Sequence, residues 1–324
     1  MPKILVTGGA GYIGSNTAHR LRKHGFDVII VDDLSRGHQR NTTGFPFHKL
    51  NISDTQQLIP LLRGVDAVIH FAAYISVGES TQKPELYFSN NVTATLGLLN
   101  AMIEANVKRL VFSSTAAVYG LPAKSPITEE EPFAPVNPYG ESKVMVEKIL
   151  HWLNQFRELR SITLRYFNAC GADPSTNLGE EHEPETHLIP LLFRAVQTGH
   201  PITLFGDDYS TPDGTCIRDY VHIVDLAEAH VLAVERLLAG GLSDTFNVGS
   251  GTGHSVLDVV CAVEQVTGRA VPRQMGPRRK GDSPALVADS SKLKRVLGWK
   301  PQHAELLQIV ESAWQFERKR ITNS

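Results

Sequence analysis

Short apolar runs alternate with longer amphipathic stretches through the first half of the chain. The apolar run 28–31 is unbroken, which is typical of a strand buried on both faces of a parallel sheet. Apolar residues recur at i, i+3, i+4 and i+7 from Val146, which is the helical period. The pattern predicts βαβ units with strands at 3–7, 28–31, 47–52, 67–71, 110–113 and 162–166 and helices at 13–24, 55–62, 85–105 and 139–156.

The regular alternation stops near Gly171. The segment 173–186 is rich in Pro, Gly, Glu and Asn and predicts a loop, and Ser255 with Asp258 predicts a capping box. Further elements are expected at 202–205, 224–238, 245–248 and 255–266, with a helix near the C-terminus. We expect an α/β protein: a doubly wound parallel Rossmann sheet in 1–170 and a smaller mixed α/β lobe in 171–324. A return of 217–250 to the first domain is the alternative.

Glycines 8, 11 and 14 lie between the first predicted strand and the first predicted helix, in the sequence TGGAGYIG. A dinucleotide pyrophosphate must approach bare backbone there, and the helix N-terminus offers N–H groups and positive dipole. A glycine turn that only packs strand against helix is the alternative. Asp32 follows the second strand, where a carboxylate binds a ribose 2′-hydroxyl and repels a 2′-phosphate. The pattern therefore predicts NAD.

Tyr139 and Lys143 are four residues apart, so one helical face carries both side chains. The Lys143 ammonium and a positive nicotinamide ring are expected to lower the pKa of Tyr139 and favour its phenolate. Ser113 and Thr115 end a predicted strand, where doubly wound sheets bind ligands. A surface Tyr–Lys pair and a hydroxyl that only caps the strand end are the alternatives.

Composition narrows the class of protein. The chain has 324 residues, and 32 Lys+Arg against 34 Asp+Glu leave a formal charge of −2, so no broad field attracts nucleic acid or an anionic membrane. Its three cysteines are too scattered for a disulfide framework. The first apolar run is too short for a signal peptide, and none approaches a bilayer span. We expect a cytoplasmic protein without membrane or nucleic-acid partners.

Six motifs in order carry a family resemblance: TGGAGYIG, FSSTAAVYG, NPYGESK, LRYFNACGA, DGTCIRDYVHIVDLAEAH and PRRKGD. They resemble the extended short-chain dehydrogenase/reductases and, more narrowly, the UDP-glucose (UDP-galactose) 4-epimerases. The first and third motifs are general to the superfamily, whereas the last three are narrower. The likeness extends from the first strand to about residue 300.

The resemblance implies a redox-neutral reaction. Tyr139, assisted by Thr115, takes the proton of the sugar 4-hydroxyl while bound NAD accepts hydride from C4. The keto sugar then rotates, and hydride and proton return on the other face. Lys143 would hold the nicotinamide ribose. The implied substrates are UDP-glucose and UDP-galactose, with N-acetylated UDP-sugars as weaker ones.

The resemblance also assigns binding residues. Those on the cofactor side are Gly8, Gly11, Tyr12, Ile13, Gly14, Asp32, Asn51, Ile52, Phe71, Ala72, Ala73, Asn90, Ser113, Tyr139, Lys143 and Tyr166. Those on the substrate side are Thr115, Tyr139, Asn168, Leu188, Phe205, Arg218, Arg279, Asp282 and Leu286. One departure is Ile75, which stands where some members have a lysine near the cofactor. A homodimer joined through helices near 85–105 and 139–156 is implied by analogy.

Other functions are considered beside this one. Sugar-nucleotide 4,6-dehydratases have an Asp–Glu pair where this chain has Ala116-Ala117. Epimerases of UDP-xylose or UDP-glucuronate stay open, as does a catalytically silent NAD-sensing protein. The segment 180–187 has two histidines five residues apart with a proline between, unlike H-E-x-x-H, so no metal is predicted.

Overall fold

The computed structural model describes residues 1–279 and 281–322. Its strands, numbered in chain order, are β1 (Lys3–Thr7), β2 (Asp27–Asp32), β3 (Phe47–Lys49), β4 (Ala67–His70), β5 (Arg109–Thr115), β6 (Arg160–Tyr166), β7 (Asn168–Cys170), β8 (Ala172–Asp173), β9 (Leu178–Gly179), β10 (Ile202–Phe205), β11 (Ile217–His222), β12 (Asp244–Val248), β13 (Gly253–Ser255), β14 (Arg273–Gly276) and β15 (Ala285–Leu286).

The α-helices are α1 (Tyr12–Lys23), α2 (Thr55–Leu62), α3 (Val77–Gln82), α4 (Pro84–Phe88), α5 (Ala94–Glu104), α6 (Pro138–Arg157), α7 (Leu188–Thr198), α8 (Ile223–Leu238), α9 (Val256–Thr267), α10 (Ser291–Leu297) and α11 (Leu306–Thr322). Short 3₁₀ segments lie at Gln39–Thr42 and Ala116–Tyr119, and a π-helical turn at Ser89–Thr93 joins α4 to α5. Across residues 1–279 and 281–322, no helix has both the length and the apolar content that a bilayer span requires.

A parallel sheet forms the centre of the molecule. Within the described residues it has seven strands in the order β12-β6-β5-β4-β1-β2-β3. The order reverses between β1 and β4, so the loops after these two strands diverge and leave a crevice at their carboxyl ends. The predicted doubly wound Rossmann fold is therefore confirmed, and the crevice is where its ligand is expected.

Apolar clusters cover both faces of this sheet. One cluster packs α1 and α8 against the sheet. Its buried members include Leu21, Leu226, Phe246 and Trp299. The other packs α2, α5 and α6 against the opposite face through residues such as Leu58 and Leu98. Because both faces are buried, the central strands are continuous apolar runs, as the sequence indicated.

A smaller lobe forms around α7, α9 and α11, whose apolar faces make a third cluster. Parallel β10–β14 and the β13-β11-β15 group with β7 complete it. The capping box of Ser255 and Asp258 is confirmed at the start of α9. Strand β12 pairs with β6 in the large sheet, and α8 packs on α1, so these segments lie in the Rossmann part of the molecule. The boundary at residue 170 stays a prediction.

Three predicted elements differ in detail. The helix expected over 85–105 contains the π turn, where the Asn91 side chain bonds both Tyr74 and Ser142. The strand expected over 47–52 ends at Lys49, because the Asn51 side chain accepts the Ser53 N–H and turns the chain. The loop expected over 173–186 includes the β8–β9 hairpin.

Candidate active site

The three motif glycines differ in what surrounds them. Gly8 has φ of 71°, and a Cβ there would lie 2.5 Å from the Ala72 nitrogen. A Cβ on Gly14 would overlap the Gly8 carbonyl oxygen. Both positions therefore require glycine for the packing of the loop itself.

Gly11 has no such packing requirement. A Cβ there would meet the Gly8 oxygen at 3.4 Å, an ordinary contact. Gly11 is the N-cap of α1, and within the described residues neither a side-chain cap nor an acidic residue satisfies the first turn. The open N–H groups and positive helix end form a cradle that fits a pyrophosphate. Tyr12 and Ile13 continue this turn, and the Tyr12 hydroxyl donates to the Gly171 oxygen at 2.6 Å.

Asp32 lies at the end of β2 beside the loop. Its carboxylate accepts the Ala10 N–H at 3.0 Å and the Leu34 N–H at 2.8 Å. Burial raises its pKa, and these two hydrogen bonds oppose that rise. Each oxygen keeps a lone pair for a ribose hydroxyl, whereas a 2′-phosphate would meet a buried acid. The site therefore fits NAD.

The residues expected at the adenine lie past β3. Ile52 is buried, and Asn51 is exposed and donates to Asp33 at 2.8 Å. The Asn51 carbonyl oxygen already accepts the Ser53 N–H and hydroxyl. Both lone pairs of this oxygen are therefore engaged. An adenine contact from Asn51 stays a prediction.

The loop Phe71-Ala72-Ala73 follows β4 and is half-buried against the phosphate loop. Its continuation is held by Asn91, which accepts the Tyr74 N–H and donates to the Tyr74 oxygen. Asn90 is half-buried and donates to Asn91. The cofactor role of Asn90 stays a prediction, and the sequence analysis did not single out Asn91, the neighbour that holds this loop. Ile75, the departure from the family pattern, is exposed.

Tyr139 lies in the first turn of α6, which Asn137 caps and Pro138 opens. The phenol is buried, and this burial raises the pKa of Tyr139 to about 12. The nearby Thr115 hydroxyl opposes this rise in the pKa of Tyr139. Since Thr115 also accepts the Ala117 N–H at 3.2 Å, its proton is free to point at Tyr139.

Lys143 is buried one turn further along α6. Its Nζ donates to the Ser113 oxygen at 2.8 Å and lies 5.0 Å from the Phe112 ring centroid. Burial lowers the pKa of Lys143 to about 7, although Glu147 raises it. The Ser113 hydroxyl contacts the Tyr166 hydroxyl, whose pKa is raised by burial and then by Tyr139.

The expected lowering of the Tyr139 pKa is absent in the protein alone. Burial dominates, and Lys143 is not among the groups that act on the phenol. The physical reason is that desolvation acts on both buried groups and disfavours the charge of each. In the protein alone, burial therefore favours the neutral phenol of Tyr139.

Arg218, Asp282 and Leu286 come together on the lobe side of the crevice. Arg218 donates to the Ser283 oxygen at 2.8 Å, and its guanidinium lies 3.4 Å from the Asp282 carboxylate. Leu286 is the register partner of Arg218 between β11 and β15. It is half-buried against the cluster around Ala116, which directly follows Thr115.

The other predicted substrate residues are spread along the lobe. Arg279 stacks over the Phe205 ring with 4.2 Å between the guanidinium carbon and the centroid. Leu188 is the first residue of α7 and is half-buried. Asn168 donates to the Asp219 oxygen at 2.9 Å. Lys280, next to Arg279, lies outside the described residues.

The segment 180–187 folds into a cluster that sequence spacing did not reveal. Ligand-type atoms of Glu180, His182, Glu185 and His187 lie within 4.8 Å of one another. Burial disfavours the charged forms, but the histidines outweigh it and lower the pKa of Glu180 to about 2. The two carboxylates likewise outweigh burial and raise the pKa of His182 to about 10. The cluster is therefore charge-balanced, and the absence of a metal stays a prediction.

Comparisons with known proteins identify a family for this chain. The family model described as the NAD dependent epimerase/dehydratase family matches residues 4–249. The UDP-glucose 4-epimerase of Halalkalibacterium halodurans is 47% identical over 319 residues, which are 98% of this chain and 96% of that protein.

Solved structures agree as well. The UDP-glucose 4-epimerase of Brucella ovis in complex with NAD superposes with a TM-score of 0.95 at 43% identity, covering 98% of both chains. The UDP-Glc/GlcNAc 4-epimerase of Campylobacter jejuni superposes with a TM-score of 0.86 at 38% identity, covering 98% of this chain and 100% of that one.

Proposed function

The chain belongs to the NAD-dependent epimerase/dehydratase family, and on that premise we propose that Tyr139, Thr115 and Lys143 carry out its reaction. The protein is an isomerase that interconverts UDP-glucose and UDP-galactose with NAD as cofactor. The observation that carries the residue assignment is the placement of Tyr139 and Lys143 one turn apart on α6, with Thr115 at the carboxyl end of β5 and the Lys143 ammonium bonded to the Ser113 oxygen of the same strand. A silent NAD-sensing protein would not need these three groups together.

Bound NAD supplies the hydride acceptor and donor for C4 of the sugar. Tyr139 removes the proton from the 4-hydroxyl and returns a proton to the same oxygen once C4 has been reduced on its other face. Thr115 donates to the phenol oxygen and so stabilises the phenolate. Lys143 orients the cofactor ribose, and its hold on the Ser113 oxygen fixes the ammonium beside the pocket.

Burial keeps Tyr139 as a phenol in the protein alone, and this suits the reaction. The proton acceptor then forms only when a positive charge is bound against the pocket. An unliganded enzyme with a permanent buried phenolate would pay a large desolvation cost. The base is therefore coupled to occupancy of the cofactor site.

The substrate side supplies cations and one acceptor. Arg218 and Arg279 are suited to a diphosphate because a guanidinium binds phosphate oxygens through paired N–H groups. Asp282 would accept the uridine ribose hydroxyls, and Phe205, Leu188 and Asn168 would line the nucleotide. Leu286 would border the sugar, which makes UDP-glucose and UDP-galactose the main pair and N-acetylated UDP-sugars weaker substrates. UDP-xylose and UDP-glucuronate are tested beside them.

A second copy of this chain is the proposed partner. Exposed apolar side chains recur seven residues apart on two helices, Leu96 and Ile103 on α5, and Met145 and Trp152 on α6. Phe156 stacks on Trp152 and is 69% exposed. Such a continuous apolar face is typical of a helix-to-helix interface. Trp152→Glu should yield a monomer in size-exclusion chromatography with light scattering, whereas Trp314→Glu would disrupt the lobe core instead.

The cytoplasm is the proposed compartment. Cys170 and Cys216 are buried and unpaired, and Cys261 is exposed and unpaired. Free thiols of this kind are typical of a reducing compartment. Fractionation of the native host with an antibody against the chain is the test.

The assignment is tested by product analysis with purified protein. Incubation with UDP-galactose should give UDP-glucose, and the same assay with UDP-N-acetylgalactosamine, UDP-xylose and UDP-glucuronate should define the range. Tyr139→Phe should reduce kcat by about 10²–10⁴-fold and leave the bound dinucleotide content unchanged. Tyr74→Phe serves as a matched control. Wild-type turnover by Tyr139→Phe would remove this residue from the mechanism.

A further inference from the structure

A buried ion pair lies behind the reacting residues. Arg165 donates to Glu147 from Nη2 at 2.6 Å and from Nε at 3.1 and 3.2 Å. Both side chains are 6% exposed. Replacing such a pair by apolar residues of similar volume often costs no stability. The ionic groups therefore call for an explanation other than packing.

The pair joins the two strand ends that carry the site. The Ser114 hydroxyl, between Ser113 and Thr115, donates to Glu147 at 2.5 Å. Arg165 is the register partner of Ser114, and Tyr166 is the partner of Thr115. Glu147 thus holds the carboxyl ends of β5 and β6 in one register, and Thr115 and Tyr166 are set by it.

The guanidinium of Arg165 also has hydrogen-bond partners other than Glu147. Arg165 donates to the Tyr119 hydroxyl at 2.9 Å, and Tyr119 donates to the Asn247 side chain at 2.6 Å. The Asn247 amide then donates to the Ile127 oxygen at 2.8 Å. A network with every member bonded holds Glu147 in one position.

Glu147 is four residues after Lys143, on the same face of α6. Two further titratable groups of the site lie near Lys143: Tyr139 one turn before it on α6 and His70 on β4, while Tyr166 on β6 contacts Ser113, whose carbonyl oxygen Lys143 bonds. His70 is neutral between Thr7 and Thr95, because burial and then Lys143 lower its pKa to about 3. Burial raises the pKa of both tyrosines, so they are neutral in the protein alone. Glu147 is the group that acts on Lys143 with a negative charge.

We propose that Glu147 is a positioning residue, which favours the ammonium form of Lys143 and sets Thr115 against Tyr139. The proposal rests on the proposed function, because it acts through the residues assigned there. It is independent of which UDP-sugar is turned over.

The test compares two changes at one position. Glu147→Gln keeps the shape and removes the charge, whereas Glu147→Asp keeps the charge and shortens the side chain. The kcat for UDP-galactose is measured from pH 6 to 10. Loss of the carboxylate favours the neutral amine, so Glu147→Gln should move the alkaline fall in kcat to lower pH by about one unit. The KM should stay within about twofold, and Glu147→Asp should keep the wild-type position of this fall.

A merely structural role gives a different result. It would lower the Tm and reduce kcat equally at every pH in both variants, and that outcome overturns the proposal. Glu311→Gln, at an exposed position of α11, is the matched control and should keep the wild-type profile. Bound dinucleotide is measured in each variant to separate cofactor loss from a displaced Lys143.

Glu147→Gln leaves the Arg165 guanidinium buried without its partner, which can prevent folding. In that case the double variant Glu147→Gln with Arg165→Met removes both charges, and its pH profile decides in the same way. Tyr139→Phe is assayed in parallel. If Tyr139→Phe is active, the proposed function fails; if it is inactive and Glu147→Gln keeps the wild-type profile, only the present proposal fails.

Discussion

The cofactor side and the substrate side of the crevice are built in different ways. On the cofactor side the loop 8–14 offers backbone, and its tightest approach is the one between Gly14 and Gly8, six residues apart, although Gly8 also lies against Ala72. On the substrate side Arg218 is oriented by the Ser283 oxygen, 65 residues away. A binding site made of backbone groups depends mainly on the conformation of one loop. A binding site made of charged side chains depends on how strands that are distant in the sequence pair.

The two sides also differ in the residues that hold them in place. Asp32 is positioned by two backbone N–H groups, that of Leu34 two residues on and that of Ala10 in the glycine loop. Arg279 stacks on Phe205, which belongs to a strand 74 positions earlier. We therefore expect changes on the cofactor side to act through the loop itself and changes on the substrate side to act on the KM for the sugar nucleotide.

The largest expected effect is a difference in stability between variants at two glycines of one motif. Gly14→Ala should destabilise the unliganded protein by about 3 kcal/mol, because the added methyl overlaps the Gly8 oxygen. Gly11→Ala should destabilise the unliganded protein by only about 1 kcal/mol, the difference between glycine and alanine as an N-cap, yet lose bound dinucleotide. Denaturant unfolding of cofactor-free protein and dinucleotide release on denaturation measure the two effects. Equal stability of both variants would contradict the distinction.

A charged residue of the substrate side comes second. Arg218→Met should raise the KM for UDP-galactose by about 30–100-fold, since a hydrogen bond between charged groups contributes about 2–3 kcal/mol. The bound dinucleotide should stay at the wild-type level. Steady-state kinetics check this, with exposed Arg194→Met on α7 as the control. An unchanged KM would remove Arg218 from the diphosphate site.

Leu286 offers a smaller change that concerns selectivity. Leu286→Tyr should lower kcat/KM for UDP-N-acetylgalactosamine relative to UDP-galactose by about tenfold, because bulk beside the sugar acts against the acetamide. Leu286→Ser should shift the ratio the other way. Parallel kinetics with both substrates give the ratio. If neither variant moves it, selectivity is set elsewhere and Leu286 belongs to the core cluster around Ala116.

The smallest effect concerns pH and the cluster at 180–187. The two carboxylates overcome burial and raise the pKa of His182 from 6.5 to about 10. The folded state then holds a proton that the unfolded chain releases above pH 6.5, so this stabilisation is present below pH 6.5 and is lost toward pH 10.

His182→Gln should therefore flatten the fall of Tm between pH 7 and 9 by about 2–4 °C. Thermal unfolding in a series of buffers checks it, with exposed His200→Gln as the control. A wild-type slope in His182→Gln would show that the cluster does not carry the proton.

Sequence reasoning was accurate where the signal is local. The β1–α1 glycine loop, the helical pairing of Tyr139 with Lys143 and the capping box at Ser255 each depend on residues within one turn or one loop. Their geometry follows from helix and strand periodicity. The predicted Asn51–adenine contact depends on a side chain that Asp33 and Ser53 already engage.

The sequence by itself determined the family and the doubly wound fold and predicted the reacting groups, because glycine placement and helical spacing constrain the backbone directly. Tertiary structure alone decided the state of those groups. Burial raises the pKa of Tyr139, and the Glu147–Arg165 pair ties α6 to the strand ends across 18 residues. Desolvation and strand register depend on what packs around a side chain, and no spacing along the chain encodes either one.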